Sequence, residues 1–346
     1  MSASNLLSDL AAIVGQANVL TGDADRSFYA MDVYNQLELP LAVVQPATVD
    51  ELQKAVRAIT SSGVAVVPRG GGASYTDGYL PTTSNSVLVD TTRLNRIVEI
   101  NATDMYVTVE PGVTWAELWQ QLAKQGLRTT FWGPFSGIKA TVGGSMSQNS
   151  ASLGSGNFGV SADAVLSFDI VLANGELLRT SSAAAANGVP FFRWYGPDLT
   201  GVFTGDAGAL GFKARISLRL IKAPPFYGAA SFGFDNFENM SGGMAAAARE
   251  GVIADNFGLD PKLQQGQLSK TSASDAMGAA WAVAKTARNP LQAGIRLLKM
   301  AAAGKRFLAG YNYSAHYTVE GVCQAEVNAK LALIRDAMKG FGTETA

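Results

Sequence analysis

The sequence predicts an α+β protein of two regions, residues 1–224 and 225–346. Three observations carry that expectation. A strand–helix–strand pattern opens the chain and runs into a triglycine turn. Strand and hairpin signals then crowd the stretch up to residue 222. The pair Pro224-Pro225 marks a boundary, beyond which strand signals frame alanine-rich helical stretches. Hydrophobic residues make up 47% of the 346, enough for a sizeable core.

Taken in order, Leu6, Leu7, Leu10, Ile13 and Val14 share one helical face. Residues 41–45 form a short strand closed by Pro46. Thr48 and Glu51 have capping-box spacing, and Val49, Leu52, Val56 and Ile59 follow at helical intervals. Gly63 ends that helix, and Val64, Ala65, Val66 and Val67 read as a buried strand.

That strand delivers the chain into Pro68-Arg69-Gly70-Gly71-Gly72-Ala73-Ser74. Glycines let a backbone come close to a ligand, because no Cβ intervenes. Successive amides in such a turn can point into one concavity and bind an anion. Ser74 adds a hydroxyl donor, so the physical reading is a phosphate cradle. No lysine occurs between Lys54 and Lys124, which excludes a P-loop ATPase. The letters of a dinucleotide fingerprint occur at Gly154, Gly156 and Gly159, with Glu176 beyond. Their context is wrong, since no β-branched strand precedes them and a strand-like run follows where a helix is needed.

Three short strands are expected at 87–90, 97–100 and 106–109, punctuated by Pro111-Gly112. Thr114 and Glu117 form a second capping box, opening a helix with Trp115, Leu118 and Leu122 inward. Residues 127–160 lack periodicity and are rich in Gly, Ser and Asn, and so long an irregular stretch is either functional or misread. Strands at 165–173 and 176–180 flank Asn174-Gly175, a hairpin signal. Phe212, Ala214, Ile216, Leu218 and Leu220 alternate with Lys213, Arg215, Ser217 and Arg219, which predicts a strand buried on one face. The second region reads as a small α+β layer with strands at 226–234 and around 311–319 and a helix at 324–338.

Charged residues are 16% and sum to −1, which lacks the basic excess of a nucleic-acid binder. No apolar run is long enough to span a membrane, and no secretory leader is legible, so the expected location is cytoplasmic. One cysteine, Cys323, and one histidine, His316, exclude a disulfide framework and a multi-histidine metal site. Cys323 is expected to be a small buried hydrophobe.

Four segments carry a family likeness. Residues 66–74, 107–113, 140–149 and 204–211 resemble, in order, the FAD-binding domain of the vanillyl-alcohol oxidase / p-cresol methylhydroxylase superfamily, which includes D-lactate and glycolate dehydrogenases. The resemblance implies a two-subdomain PCMH-type FAD-binding domain followed by a partial α+β cap domain. It implies that Pro68, Arg69, Gly70, Gly71, Gly72, Ala73 and Ser74 hold the pyrophosphate. Pro134, Thr141, Gly143, Gly144, Ser147 and Asn149 would line the flavin. Asp206, Gly208, Leu210 and Gly211 would form the late turn near adenine and ribose. Residues 69–78 contain no His or Cys, so covalent attachment there is absent and FAD is expected to be noncovalent.

The implied activity is oxidation of a small hydroxy acid or alcohol by hydride transfer to FAD, with the electron acceptor unspecified. His316 is the nameable candidate base, and a structural histidine is the plainer reading. Two alternatives stay open. One is a non-redox exchange like that of alkyl-dihydroxyacetone-phosphate synthase, for which Lys299, Lys305 and Arg306 could meet a phosphate substrate. The other is a flavin-binding module without turnover, since relatives continue beyond the early part of the cap. Trp132 and Phe131 are candidates to shape the pocket.

Overall fold

The computed structural model describes residues 3–263 and 310–345. The chain divides into two compact units, Met1–Ala223 and Pro224–Ala346.

The first unit begins with α1 (Ala3–Val14), β1 (Val19–Leu20), α2 (Asp23–Tyr29), β2 (Ala42–Val44), α3 (Val49–Ser61), β3 (Ala65–Arg69) and β4 (Ser86–Asp90). These strands form one sheet in the order β1-β2-β4-β3, with β2 and β3 both parallel to β4. Helix α3 carries the chain over the sheet between those two, and its Leu52, Ala55, Val56 and Ile59 pack with Leu6 and Leu10 of α1. Thr48 Oγ1 accepts the Glu51 N–H at 3.1 Å, while the Glu51 carboxylate accepts the Ala47 N–H at 2.7 Å. The reciprocal bond therefore reaches one residue further back than a capping box requires.

Strand β3 corrects one expectation. It lies at the sheet edge, with Ala65 exposed and only Arg69 fully buried. Its apolar run resembles that of a central strand, but one side has no neighbouring strand. An edge also tolerates Pro68, which has no N–H for a ladder.

The second part of this unit comprises β5 (Ile97–Asn101), β6 (Tyr106–Val109), α4 (Trp115–Ala123), β7 (Leu127–Thr129), α5 (Val142–Gln148), α6 (Ser155–Phe158), β8 (Val165–Val171), β9 (Leu177–Arg179), α7 (Leu199–Val202) and β10 (Phe212–Lys222). The sheet runs β5-β6-β10-β8-β9, antiparallel throughout, and β7 also pairs with β10. Helices α4 and α5 bury Trp115, Leu118, Leu122, Val142 and Met146 against it. The Trp115 indole N–H donates to Ser145 Oγ at 2.8 Å, and its ring meets Phe131 edge-on at 5.1 Å. Phe131 is thus a core residue, fully buried.

Strand β10 differs from its prediction. Lys213 and Ser217, on the supposed solvent face, are buried. The strand is central rather than peripheral, and its polar residues meet other polar groups: Ser217 Oγ lies 2.9 Å from Thr108 Oγ1. The stretch 127–160 is also more ordered than its composition suggests. It contains α5, capped by the Thr141 hydroxyl at one end and by Asn149 in the left-handed region (φ 48°) at the other. Two glycines and two serines in seven residues mask such a helix, because their helix propensity is low. Gly154 and Gly159 both take positive φ and bracket the single turn of α6, with no strand leading in. That geometry agrees with rejecting the dinucleotide fingerprint.

The second unit contains β11 (Phe226–Phe234), α8 (Phe237–Arg249), β12 (Asp255–Leu259), β13 (Tyr313–Gly321), α9 (Gln324–Ala337) and β14 (Thr343–Thr345). The sheet order is β12-β13-β11-β14, all antiparallel. Met240 and Ala247 of α8, with Val327, Leu331 and Ile334 of α9, pack on Phe232, Phe234, Tyr317 and Val319. Cys323 is exposed, contrary to expectation, because it occupies the residue before α9. Tyr311 precedes β13, so it does not share the strand's pleat with Tyr313 and Tyr317. Among the described residues, no helix is long and apolar enough to cross a membrane, and no group of three or more His, Cys, Asp or Glu could hold a metal ion.

Candidate functional site

The four sequence segments converge in the first unit. The turn after β3 lies against the entrance to α5: a Cβ on Gly70 would stand 2.6 Å from Thr141 Oγ1, and one on Gly71 would strike the Lys139 carbonyl. Gly71 is therefore demanded by the meeting of two main chains, and Gly70 by the Thr141 hydroxyl. Residues 111–113 support the same entrance, since Gly143 N–H donates to Pro111 O and Val142 N–H to Val113 O, each at 2.9 Å. The late turn closes the other end of α5, with Gly205 N–H on Met146 O and Ala207 N–H on Ser147 O, each at 2.9 Å. Gly208, at φ 79°, passes so close to Pro68 that a Cβ would stand 2.6 Å from its ring.

What this arrangement leaves open is a row of donors. Among the described residues, none accepts a hydrogen bond from the main-chain N–H groups of Gly70, Gly71, Gly72, Ala73 or Ser74. These residues are half-buried, where unpaired amides are costly. An anion would satisfy them, and no side-chain charge is required for that. The Ser74 hydroxyl lies 3.0 Å from Thr76 Oγ1, which in turn donates to Gln148 Oε1 at 3.0 Å. Thr76 and Gln148 thus tie the cradle to α5. No sequence motif marks either residue.

The remaining expected residues sit as follows. Asp206 is turned inward: its Oδ1 accepts the Gly208 N–H at 2.9 Å and pairs with Lys213, while Oδ2 has no partner among the described residues. Burial pushes the Lys213 ammonium down from its usual pKa, against the opposing pull of Asp206. Asn149 is exposed, and its Oδ1 accepts the Ala162 N–H at 3.2 Å. Leu210 is exposed, whereas Gly211 packs on Ile170. Pro134 turns the chain through its carbonyl, which accepts the Gly137 N–H at 2.9 Å. Trp132 is half-buried, and its indole N–H finds no acceptor among the described residues. Lys299, Lys305 and Arg306 lie outside the described residues.

Residues 40–181 match the model of the FAD binding domain family. That stretch of the chain is similar to FAD binding domains. The matched span contains the triglycine cradle, the 107–113 segment and the 140–149 loop, so the likeness read from those motifs holds and the cofactor is FAD. The chain is 31% identical over 227 residues to the glycolate oxidase subunit GlcD of Bacillus subtilis, covering 65% of this chain and 46% of that protein. It is 30% identical over 222 residues to the mitochondrial D-lactate dehydrogenase [cytochrome] of Arabidopsis thaliana, covering 63% of this chain and 37% of that one. Among solved structures, substrate-bound p-cresol methylhydroxylase superposes with a TM-score of 0.76 at 18% identity, over 99% of this chain and 65% of that one. That likeness is one of fold. The aligned part spans about half or less of the length of these curated relatives.

His316 lies in the second unit. Its Nδ1 is 2.9 Å from Ser231 Oγ, its Nε2 is 3.1 Å from Ser314 Oγ, and its ring stacks on Phe257 at 4.9 Å. Both ring nitrogens are thus engaged in holding the ring in the sheet. Burial lowers its pKa from the ordinary 6.5. Between the lowered folded value and 6.5, the unfolded chain binds more protons than the folded one. Stability is therefore expected to fall as pH drops through that window. Thermal melts between about pH 5 and 7 should show this slope in the native protein and lose it in His316→Gln.

Proposed function

We propose that this chain is the FAD-holding part of an oxidoreductase that converts a small hydroxy acid to the corresponding oxo acid. The observation that carries the cofactor half is the row of unpaired amides at Gly70–Ser74, set where the four family segments meet. The substrate half rests on similarity to proteins named for glycolate and D-lactate oxidation. In this reading the cradle amides take the pyrophosphate, while Thr141, Gly143 and Gly144 bring main chain close to the ring system. Bound FAD supplies the two-electron acceptor that side chains lack. The protein's share is to orient the cofactor and to seat the substrate carboxylate and hydroxyl. The FAD is expected to be noncovalent, since the cradle offers no His or Cys.

The test is anaerobic mixing of the FAD-loaded protein with glycolate, D-lactate and longer 2-hydroxy acids. Bleaching near ~450 nm, followed by recovery with an artificial acceptor, is expected for at least one of them. FAD-loaded protein that none of the panel bleaches would contradict turnover and leave a flavin-holding module.

A further inference from the structure

Arg69 stands at the end of β3, one residue before the triglycine turn, and its side chain is engaged by the protein's own carbonyls and rings. It is buried, at 7% exposure, and forms no ion pair among the described residues. Its Nη1 donates to the carbonyls of Tyr29 at 2.9 Å and Met31 at 2.8 Å. The guanidinium carbon lies 4.7 Å from the Tyr79 ring centroid and 5.4 Å from that of Tyr29. Its Nη2 sits beneath Gly72, where an added Cβ would collide with it.

The two rings are themselves anchored. The Tyr79 hydroxyl donates to Ser74 O at 3.1 Å, at the far end of the cradle. The Tyr29 hydroxyl donates to Asp90 Oδ2 at 3.1 Å, and burial together with that carboxylate pushes its pKa up to about 12. The segment that Arg69 holds also returns to the cradle: Val33 N–H donates to Ser74 O at 3.3 Å, and Asp77 N–H donates to Asp32 Oδ2 at 3.1 Å. Residues 29–35 therefore form a brace fastened before and after the turn.

We propose that Arg69 is a positioning residue for the pyrophosphate cradle: it locks residues 29–31 and the underside of Gly72, so fixing where the amides of residues 70–74 point, and makes no bond to phosphate. The chemistry fits arginine alone. A planar fork reaches two carbonyls while stacking between two rings, and a lysine ammonium cannot do both. The proposal rests on the FAD reading.

The test compares Arg69→Lys and Arg69→Met with the native apoprotein. FAD and riboflavin are titrated by flavin fluorescence at several salt concentrations, with apoprotein melts alongside. Arg69→Lys and Arg69→Met are both expected to weaken FAD by about tenfold or more, since loss of the fork is common to them. Riboflavin, which has no pyrophosphate, should bind as before, and the salt dependence of FAD binding should be unchanged. A purely structural role would lower the melting temperature without separating FAD from riboflavin. Near-native FAD affinity in Arg69→Lys, with weak and less salt-sensitive binding in Arg69→Met, would make Arg69 a phosphate ligand and overturn the proposal. Native affinity in Arg69→Met would overturn it too. Should the Arg69 variants not fold, Tyr79→Leu removes no charge from the cradle but takes away one of the two rings that hold the guanidinium. FAD-selective weakening there supports the lock, and native affinity refutes it. Native protein that ignores FAD would instead sink the underlying reading, and the proposal with it.

Discussion

Gly71→Ala is expected to destabilise the first unit by about 2 to 3 kcal/mol, the scale of forced overpacking. It should also weaken FAD at least about tenfold, equivalent to 1.4 kcal/mol. The new methyl would strike the Lys139 carbonyl and stand 3.5 Å from Ala140 Cα. Both neighbours are main chain, so no side chain can swing aside. The turn and the 139–144 loop must part, and the cradle amides move with them. Gly251→Ala provides the comparison. That glycine has φ +65° with nothing within 4 Å. Its substitution should cost about 1 to 2 kcal/mol of backbone strain and leave FAD affinity alone. Urea denaturation and fluorescence titration of the two variants separate crowding from strain. Equal FAD affinities in the two would refute the close-approach account.

Lys213→Met is expected to cost about 3 to 5 kcal/mol, because it strands the buried Asp206 carboxylate. The two side chains are 2% and 3% exposed, and the pair joins β10 to the late turn. Asp206 also holds that turn through the Gly208 N–H, and the turn packs on Pro68 at the mouth of the cradle. Damage should therefore reach FAD affinity as well as stability. Asp206→Asn should cost a similar amount by stranding the lysine. The double variant, with neither charge left, should be more stable than either single one. Chemical denaturation of the four proteins checks this, and additive losses would mean that the pair is not coupled.

The late turn also shows where sequence reasoning succeeded and failed. Four separated segments could be placed at one site through their joint resemblance to one kind of FAD-binding domain, carried by features such as the consecutive glycines at 70–72 and the Pro111-Gly112 break. Roles within them were harder to read. Alternation along β10 looked like a solvent face, yet hydropathy cannot tell a lysine in water from one buried against a carboxylate. The brace at residues 29–35 left no signature, since its contacts are carbonyls and ring faces that many sequences could supply. Helix α5 was hidden by Gly143 and Gly144, whose low propensity is offset by caps at both ends and by burial of Val142 and Met146. Cys323 went astray for a simpler reason. A residue type's average burial says nothing about a position just ahead of a helix.

The most direct measurement is titration of the purified apoprotein with FAD, followed by acid release. Binding of one FAD per chain is predicted, with competition by ADP, much weaker binding of riboflavin, and full recovery of free flavin on denaturation. A folded, colourless protein whose melting temperature and fluorescence ignore saturating FAD would contradict the account.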